Sequence, residues 1–290
     1  MSNETENYGA IDIVVAPHTP REVAEDQVGV DEHFMDKVRM PEALRRGVPM
    51  DEYVAKMDAA NVERSLLIAT RAGDLRIRHS YEIPYQRVAD YCAEHPGRFS
   101  GLAGIDPTRG MEGLRELEYA VKELGFVGAH LYPHWFGLAP DHARYYPYYA
   151  KCCELGIPIM MQVGHCLDYR RDRILESVGR PITLERVAID FPELKIIGIH
   201  MGWPWTEEMI AMAFKHANIY VAADAYAPKH WPKEYVRYAD SWGADKCLFG
   251  TDWPVIGPER AIEEIDGLGL RPASRRKLLR DNALDVFGLA

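Results

Sequence analysis

The chain lacks the features that mark membrane-spanning, nucleic-acid-binding and disulfide-rich proteins. Its longest apolar runs fall far short of the roughly 20 residues that a transmembrane helix needs, so we expect no membrane partner. Lys and Arg total 34 against 44 for Asp and Glu, and the net charge of −10 argues against nucleic acid, which favours a basic face. The five cysteines are odd in number and form no Cys-x-x-Cys pair, which favours free thiols.

The composition is that of a globular protein with a large core. Hydrophobic residues make up 47% of the chain and charged residues 27%, so disorder is not expected. The first ten residues are polar and acidic and do not resemble a secretory signal, and with free thiols this predicts a cytoplasmic location. A length of 290 residues suits one (β/α)8 barrel or two ordinary domains.

Short apolar strands alternate with amphipathic helices along the chain. The apolar residues of the strands run almost continuously, as expected of parallel strands that are buried on both faces. We predict one domain over residues 1–290, a (β/α)8 barrel in which residues 17–47 form a loop excursion or lid after the first strand. The predicted strands cover residues 11–16, 62–69, 99–105, 127–131, 157–163, 194–199, 219–222 and 247–249. The predicted helices cover residues 50–60, 81–95, 110–124, 145–155, 183–191, 206–216 and 278–288.

The end of the eighth predicted strand carries the most informative carboxylate. Asp252 follows the apolar run Cys247–Phe249 and the dipeptide Gly250-Thr251, and Pro254 prevents the strand from continuing. Parallel α/β barrels place their chemistry at the carboxyl ends of the strands, and an unpaired buried charge is costly. We therefore interpret Asp252 as a functional residue, with capping of the next helix as the alternative.

Histidines and aromatic residues follow the other strands. His165 and His200 come after the fifth and sixth strands, where their imidazoles would meet Asp252 at one mouth as metal ligands or as an acid–base group. Arg71 follows the second strand and is a candidate carboxylate clamp, although a solvated surface arginine is the alternative. Aromatic walls favour a planar substrate, although some of these rings will simply pack the loops. The predicted substrate-binding residues are His130, Tyr132, His134, Trp135, Trp203, Tyr226, Trp253 and Arg71.

Six motifs lie in the same order along nearly the whole chain: Ile11-Asp12, residues 101–107, residues 125–128, residues 157–165, residues 199–202 and Leu248-Phe249-Gly250-Thr251-Asp252-Trp253-Pro254. Together they resemble the amidohydrolase superfamily. The resemblance is to its amidohydrolase-related branch, which includes the aminocarboxymuconate-semialdehyde decarboxylase-like enzymes. It implies a distorted (β/α)8 barrel in which His165 binds one divalent metal, commonly zinc. It further implies that His200 is a catalytic histidine and that Asp252 binds the metal and shuttles a proton.

The first strand departs from that family. The resemblance implies Asp-x-His-x-His with two metal-binding histidines, but the corresponding positions here are Val14 and Ala16, which cannot coordinate a metal. Three alternatives stay open. A zinc or manganese ion binds through His165, Asp252 and a substitute such as His18, or one of the histidines after the fourth strand. The enzyme works without metal through its histidines and Asp252, or the barrel binds a ligand without catalysis.

We predict a hydrolase that acts on a small carbonyl or carboxylate compound from aromatic breakdown. His200 or Asp252 would activate water, and His165 would hold a metal or stabilise the oxyanion. Hydrolysis of a C–C bond in a beta-keto compound, such as an acyl-CoA, would suit a weak or absent metal. The first alternative is a metal-dependent non-oxidative decarboxylase, against which the missing histidines count, and the second is a non-catalytic binding barrel. A small-molecule substrate and a homodimer are expected.

Overall fold

The computed structural model describes residues 8–289 and contains eight parallel strands arranged as a nearly closed barrel. Each strand pairs with the next one in the chain, from β1 to β8, so that their carboxyl ends open on the same face. The prediction of a (β/α)8 barrel is confirmed, whereas the predicted domain limits, residues 1 and 290, lie outside the described residues. The strands are β1 (Ala10–Val15), β2 (Val62–Ala69), β3 (Phe99–Gly104), β4 (Gly128–Leu131), β5 (Ile159–Gln162), β6 (Ile196–Ile199), β7 (Ile219–Ala223) and β8 (Cys247–Phe249).

The barrel closes between β1 and β8 through a buried carboxylate. Asp12 accepts hydrogen bonds from the backbone N–H of Thr251 at 3.0 Å and from its hydroxyl at 2.6 Å. Farther along the same seam, Val15 bridges Trp253, whose carbonyl accepts the N–H of Ala16 at 3.2 Å. Burial raises the pKa of Asp12 to about 7, while the hydrogen bonds from Thr251 oppose that rise. This seam fixes the position of the segment that carries Asp252.

Apolar side chains fill two regions, one inside the barrel and one between the strands and the surrounding helices. The interior cluster includes Ile13, Leu66, Met160 and Leu248, and the last helix adds Phe287 to it. The outer cluster takes the helix faces that pack on the strands. The nearly continuous apolar pattern of the strands is explained by this burial on both faces. Within residues 8–289, no helix is long and apolar enough to cross a membrane.

One predicted helix begins later than expected. Residues 81–95 were predicted to be helical, but the helix begins at Tyr85, directly after Pro84. Proline is favoured at a helix start because it lacks an N–H, and here it separates the helix from Tyr81–Glu82, which pairs antiparallel with Arg71–Ala72. This short hairpin carries Tyr81 over the mouth of the barrel.

The other predicted helices are present, with shifts of one to a few residues at their ends. The final helical segment begins six residues earlier than predicted. Two helices, Lys233–Ala239 and Pro258–Asp266, lie where the sequence pattern predicts no helix with defined bounds. The main helices around the barrel are Met50–Ala59, Tyr85–Glu94, Gly110–Lys122, Tyr146–Leu155, Thr183–Asp190, Thr206–Lys215, Lys233–Ala239, Pro258–Asp266 and the consecutive segments Pro272–Arg276, Lys277–Asp281 and Asn282–Phe287.

The insertion after β1 is more regular than predicted. It contains three short helices, Pro20–Ala24, Glu32–Lys37 and Glu42–Arg45, and the first two have side-chain caps from Thr19 and Asp31. The insertion contacts the loop after β5 at several points. Asp31 donates its N–H to the carbonyl of Tyr169 at 3.1 Å. The ring of Phe34 packs on the ring of Tyr169 at 5.3 Å, and Arg170 pairs with Asp26 at 3.0 Å. These two segments together cover the carboxyl end of the barrel.

Candidate active site

A cavity lies between the strand ends, the insertion and the hairpin. The empty space within it, including the space open to solvent at its mouth, is about 740 Å³. Its walls are mainly aromatic and aliphatic, and His200, Asp252, Gln162 and Thr70 lie among them. None of the described residues that line it is Lys or Arg. The principal aromatic lining residues are Phe34, Tyr81, Tyr132, Trp135, Tyr169 and Trp253.

His200, directly after β6, is fixed by Asp224, directly after β7. The backbone N–H of His200 donates to Oδ1 of Asp224 at 2.6 Å, and its ring Nδ1 lies 2.7 Å from Oδ2. Burial lowers the pKa of His200, but the charge and contact of Asp224 outweigh burial and raise it to about 8. The imidazole is therefore mainly protonated at neutral pH. Its remaining nitrogen, Nε2, lies 3.1 Å from Nε2 of Gln162.

Asp252 lies at the cavity in a backbone conformation that is uncommon for residues other than glycine. Its φ is +54°, and that of His200 is +60°. Such conformations are costly and concentrate at functional sites, where the surrounding structure imposes them. Burial raises the pKa of Asp252 to about 6, while the nearby charge of His200 opposes the rise. At neutral pH the site therefore holds an ionised carboxylate beside a protonated imidazole.

Gln162 is a site residue that the sequence reasoning missed. It is the last residue of β5, and its Nε2 donates to the hydroxyl of Tyr169 at 2.6 Å as well as contacting His200. The signal in the sequence was a single amide at the end of an apolar strand. Asp224 is a second residue that the sequence analysis does not assign, although it is the carboxylate that contacts His200.

His165, by contrast, is not brought into the cavity. It lies three residues after Gln162, is exposed, and contacts the hydroxyl of Ser177 through Nδ1 at 2.9 Å. Its N–H donates to the carbonyl of Trp203 at 2.7 Å, and the rings of Trp203 and Tyr226 pack at 5.5 Å. The structure thus places His165, Trp203 and Tyr226 in a separate cluster at the rim. None of the three is among the residues that line the cavity.

The other predicted site residues divide between the cavity and the protein interior. Tyr132, Trp135, Trp253 and His18 line the cavity. His130 and His134 are buried next to it without lining it. Burial lowers the pKa of His130 to about 3 and that of His134 to about 4, and the charge of His200 contributes to both shifts. Both rings are therefore neutral.

Arg71 does not reach the cavity and cannot clamp a carboxylate there. Its guanidinium is buried against Glu116 at 2.8 Å and Glu82 at 3.8 Å, and it stacks over the ring of Tyr85 at 4.3 Å. The sequence could not show this arrangement, because Glu116 lies on a helix 45 residues farther along the chain. The role predicted for Arg71 is corrected to that of a structural ion pair.

One group within the described residues could hold a metal ion. His200, Asp224 and Asp252 offer ligand atoms that all lie within 4.8 Å of one another, and imidazole with carboxylates suits zinc or manganese. The predicted divalent metal therefore has a candidate site. This set differs from the predicted one, because it replaces His165 and His18 with His200 and Asp224. The contacts between His200 and Asp224 are also those of an acid–base pair.

An eight-stranded barrel with histidine and aspartate at its strand ends is the arrangement of the amidohydrolase superfamily. The family model described as Amidohydrolase matches residues 30–289, and the chain belongs to this family. The chain is 28% identical over 281 residues to the gamma-resorcylate decarboxylase of Rhodococcus jostii, a match that covers 78% of each protein.

Two solved structures show the same fold at lower identity. An uncharacterized TIM-barrel protein from Bordetella bronchiseptica superposes with a TM-score of 0.79 at 23% identity, over 97% of this chain and 99% of the other. A dihydroxybenzoic acid decarboxylase from Polaromonas, with bound manganese and the inhibitor 2-nitroresorcinol, superposes with a TM-score of 0.73 at 22% identity, over 97% of each chain.

These comparisons bear on the expected reaction. The curated relatives are decarboxylases, which are lyases, so they favour the alternative prediction over hydrolysis. The family prediction is confirmed.

Proposed function

We propose that this protein is a non-oxidative decarboxylase of a single-ring aromatic acid with a hydroxyl group ortho to the carboxylate. The observation that carries the proposal is the group formed by His200, Asp224 and Asp252, which opens on a cavity with aromatic walls. The similarity of the chain's sequence to those of gamma-resorcylate decarboxylases supports the choice of reaction. Planar rings pack favourably against such walls at offset or edge-to-face angles.

His200 is the proton donor in this proposal. Loss of carbon dioxide from an aromatic ring requires a proton on the carbon that carries the carboxylate. The pKa of His200 is raised to about 8 by Asp224, against the effect of burial, so the imidazole carries the proton at pH 7. Asp252, whose pKa burial raises to about 6, is ionised at the same pH and is a poorer donor. Asp224 keeps the donor charged and oriented through its two contacts with His200.

Asp252 acts as the base in this proposal. It accepts the proton of the ortho hydroxyl, which raises the electron density of the ring carbon that receives the proton from His200. The bond to the carboxylate then breaks, its electron pair returns to the ring, and carbon dioxide leaves. Asp252 returns its proton to the ring oxygen, and solvent reprotonates His200. The sum is one proton consumed and one carbon dioxide released for each substrate.

The residues present do not fit the metal centre that the resemblance implies. Val14 and Ala16 stand at the two first-strand positions, and His165 lies outside the cavity. The group of His200, Asp224 and Asp252 offers suitable ligand atoms, but the same atoms make the acid–base contacts described above. The proposed mechanism therefore uses these residues for proton transfer, and no step passes through a metal.

Turnover of ortho-hydroxybenzoates tests the proposal. Purified protein is incubated with 2,6-dihydroxybenzoate and related ortho-hydroxy acids, with and without added manganese, and products are followed by chromatography. We expect the decarboxylated phenol, with one deuterium on the released ring carbon when the reaction runs in D₂O. Benzoate, which lacks the hydroxyl, should not react, and His200→Ala should lose about 10² to 10⁴ in rate. No product from any of these acids under either condition would contradict the proposal.

A further inference from the structure

We propose that this barrel works without a resident metal ion, and that the pair of His200 and Asp224 occupies the centre of the site instead. The inference rests on the proposed function only for the identity of the reaction. It follows from where the structure places each side chain that could have been a ligand. The similar Polaromonas decarboxylase structure contains bound manganese. A site without metal would therefore distinguish this chain from that enzyme.

The two first-strand positions that the resemblance assigns to metal-binding histidines hold residues that cannot bind a metal. Val14 is fully buried and belongs to the apolar cluster inside the barrel. Its Cγ2 atom lies so close to Gly250 that a Cβ added there would come within 2.8 Å of it. Val14 therefore packs tightly against the start of the segment that carries Asp252. Ala16 does line the cavity, but it contributes only a methyl group.

The fifth strand presents an amide to the cavity. Nε2 of Gln162 donates to Tyr169 and lies 3.1 Å from Nε2 of His200, and Gln162 is buried. His165, the only nearby imidazole on the same segment, is turned outward. Gly164, with φ +98°, sits between the two, and a Cβ there would come within 2.4 Å of the carbonyl of Trp203. The close packing at Gly164 therefore stabilises the turn after which His165 lies outside the cavity.

The other histidines near the cavity are hydrogen-bonded or do not belong to the group that contains Asp252. Nε2 of His18 contacts the carbonyl of Leu44 at 2.7 Å, and Nδ1 of His134 accepts the N–H of Val178 at 3.1 Å. Within residues 8–289, His200, Asp224 and Asp252 are the one group in which three ligand atoms converge. Neither His130 nor His134 belongs to it.

Within that group, His200 and Asp224 already contact each other. Both carboxylate oxygens of Asp224 contact His200, one at the backbone N–H and one at Nδ1. An ion bound at Asp224 would compete with its contact of 2.7 Å to Nδ1 of His200. Only Nε2 of His200 and the carboxylate of Asp252 are left as ligands, and two protein ligands seldom hold zinc well. The geometry is that of a positioned acid and base.

Metal binding can be measured directly, without any substrate. Protein is purified from cells grown with added zinc and manganese and analysed for metal, and MnCl₂ alone is then titrated into it and followed by electron paramagnetic resonance. We expect far less than one ion per chain and manganese binding no tighter than about 1 mM. Close to one ion per chain in wild-type protein, lost in Asp252→Asn and Asp224→Asn, would overturn the proposal.

A designed gain of binding provides the matched control. The double variant Ala16→His, Gln162→His places two imidazoles at cavity-lining positions, one directly after β1 and one at the end of β5. We expect it to bind manganese at least about 100-fold more tightly than wild-type protein, because three ligands then converge. Circular dichroism monitors its fold. If the double variant does not fold, the wild-type titration still decides the question.

The outcome is separable from that of the proposed function. Metal content and manganese affinity are read without turnover, so an absence of decarboxylation would refute the reaction and leave the metal measurement standing. Conversely, decarboxylation that survives dialysis against a chelator supports both. Decarboxylation that disappears on dialysis and returns with manganese, at one bound ion per chain, would overturn metal independence while retaining the reaction.

Discussion

Asp224 holds His200 at two points, through Oδ1 to the backbone N–H at 2.6 Å and through Oδ2 to ring Nδ1 at 2.7 Å. The backbone of His200 is left-handed, with φ +60°, which is costly for a residue with a side chain. A single carboxylate thus stabilises the unusual backbone and orients the ring. Asp224 is fully buried, so its charge acts on His200 with little screening by solvent.

Replacing Asp224 with Asn should disable catalysis while preserving shape. The amide keeps the volume but removes the charge that keeps His200 protonated, so we expect kcat to fall by about 10² or more with a smaller change in KM. Steady-state kinetics with the best ortho-hydroxybenzoate measures this. Asp285→Asn is the control, because Asp285 is exposed and pairs with Lys195 at 3.7 Å, away from the cavity. An Asp224→Asn enzyme with normal kcat would show that the pair is merely structural.

The dependence of activity on pH should be bell-shaped. Burial raises the pKa of Asp252 to about 6, and Asp224 raises that of His200 to about 8 against the effect of burial. Asp252 must have lost its proton to act as the base, so activity falls as the pH drops through about 6. His200 must keep its proton, so activity falls as the pH rises through about 8.

Profiles of kcat/KM against pH check this assignment. In Asp224→Asn the alkaline limb should move to lower pH, because the charge that raises the pKa of His200 is gone. A profile that instead rises through pH 8 would mean that neutral His200 is the active form. The roles of acid and base would then be exchanged.

The fold could be predicted because its main signal is local. Strands buried on both faces must be apolar along their length, and eight such runs are visible in the sequence. The helix predicted from residue 81 was wrong at its start, because Tyr81 and Glu82 pair with Arg71 and Ala72. Each strand of this hairpin has only two residues, which is too few to show the alternation of apolar and polar residues that predicts a strand.

The site could be predicted only in part. His200 and Asp252 were found because each is the first ionisable residue after an apolar strand. Gln162 and His165 lie three residues apart at the end of β5, and only the direction of the chain at Gly164 decides which one faces the cavity. The partners of Arg71 are far away in the sequence. Both errors concern side-chain direction, which tertiary packing determines.

The hydroxyl of Tyr132 should contribute to substrate binding. Tyr132 lines the cavity, and its hydroxyl makes no hydrogen bond within the described part of the chain, whereas that of Tyr169 is used by Gln162. Burial raises its pKa well above the usual value, with Asp252 among the further causes, so it stays a donor. A cavity without Lys or Arg needs such donors for an anionic substrate.

We therefore expect Tyr132→Phe to raise KM about tenfold, the loss of roughly one hydrogen bond, with little change in stability. Tyr235→Phe is the matched control, since it removes a buried tyrosine hydroxyl that lies outside the cavity. Equal KM values for wild type and Tyr132→Phe would assign this ring to packing alone. The same comparison with Tyr81→Phe tests the second hydroxyl at the cavity that makes no hydrogen bond within residues 8–289.

The seam between β1 and β8 should depend on the hydroxyl of Thr251. This hydroxyl donates to Asp12 at 2.6 Å and accepts the N–H of Trp253 at 3.1 Å, and both Thr251 and Asp12 are fully buried. Thr251→Val keeps the shape but leaves a carboxylate oxygen without a donor, so we expect a loss of about 1.5–3 kcal/mol in the free energy of unfolding. Thr251→Ser, which keeps the hydroxyl, should lose less.

The loss should also depend on pH. Burial raises the pKa of Asp12 to about 7, above its value in the unfolded chain, so this group makes the fold less stable as the pH rises towards and through 7. The hydroxyl of Thr251 favours the ionised form, and removing it raises that pKa further. Thr251→Val should therefore lose more stability at pH 8 than at pH 5 in urea unfolding followed by circular dichroism. An equal loss at both pH values would mean that Asp12 is already neutral across this range, and that the seam is closed by a carboxylic acid rather than by a charge.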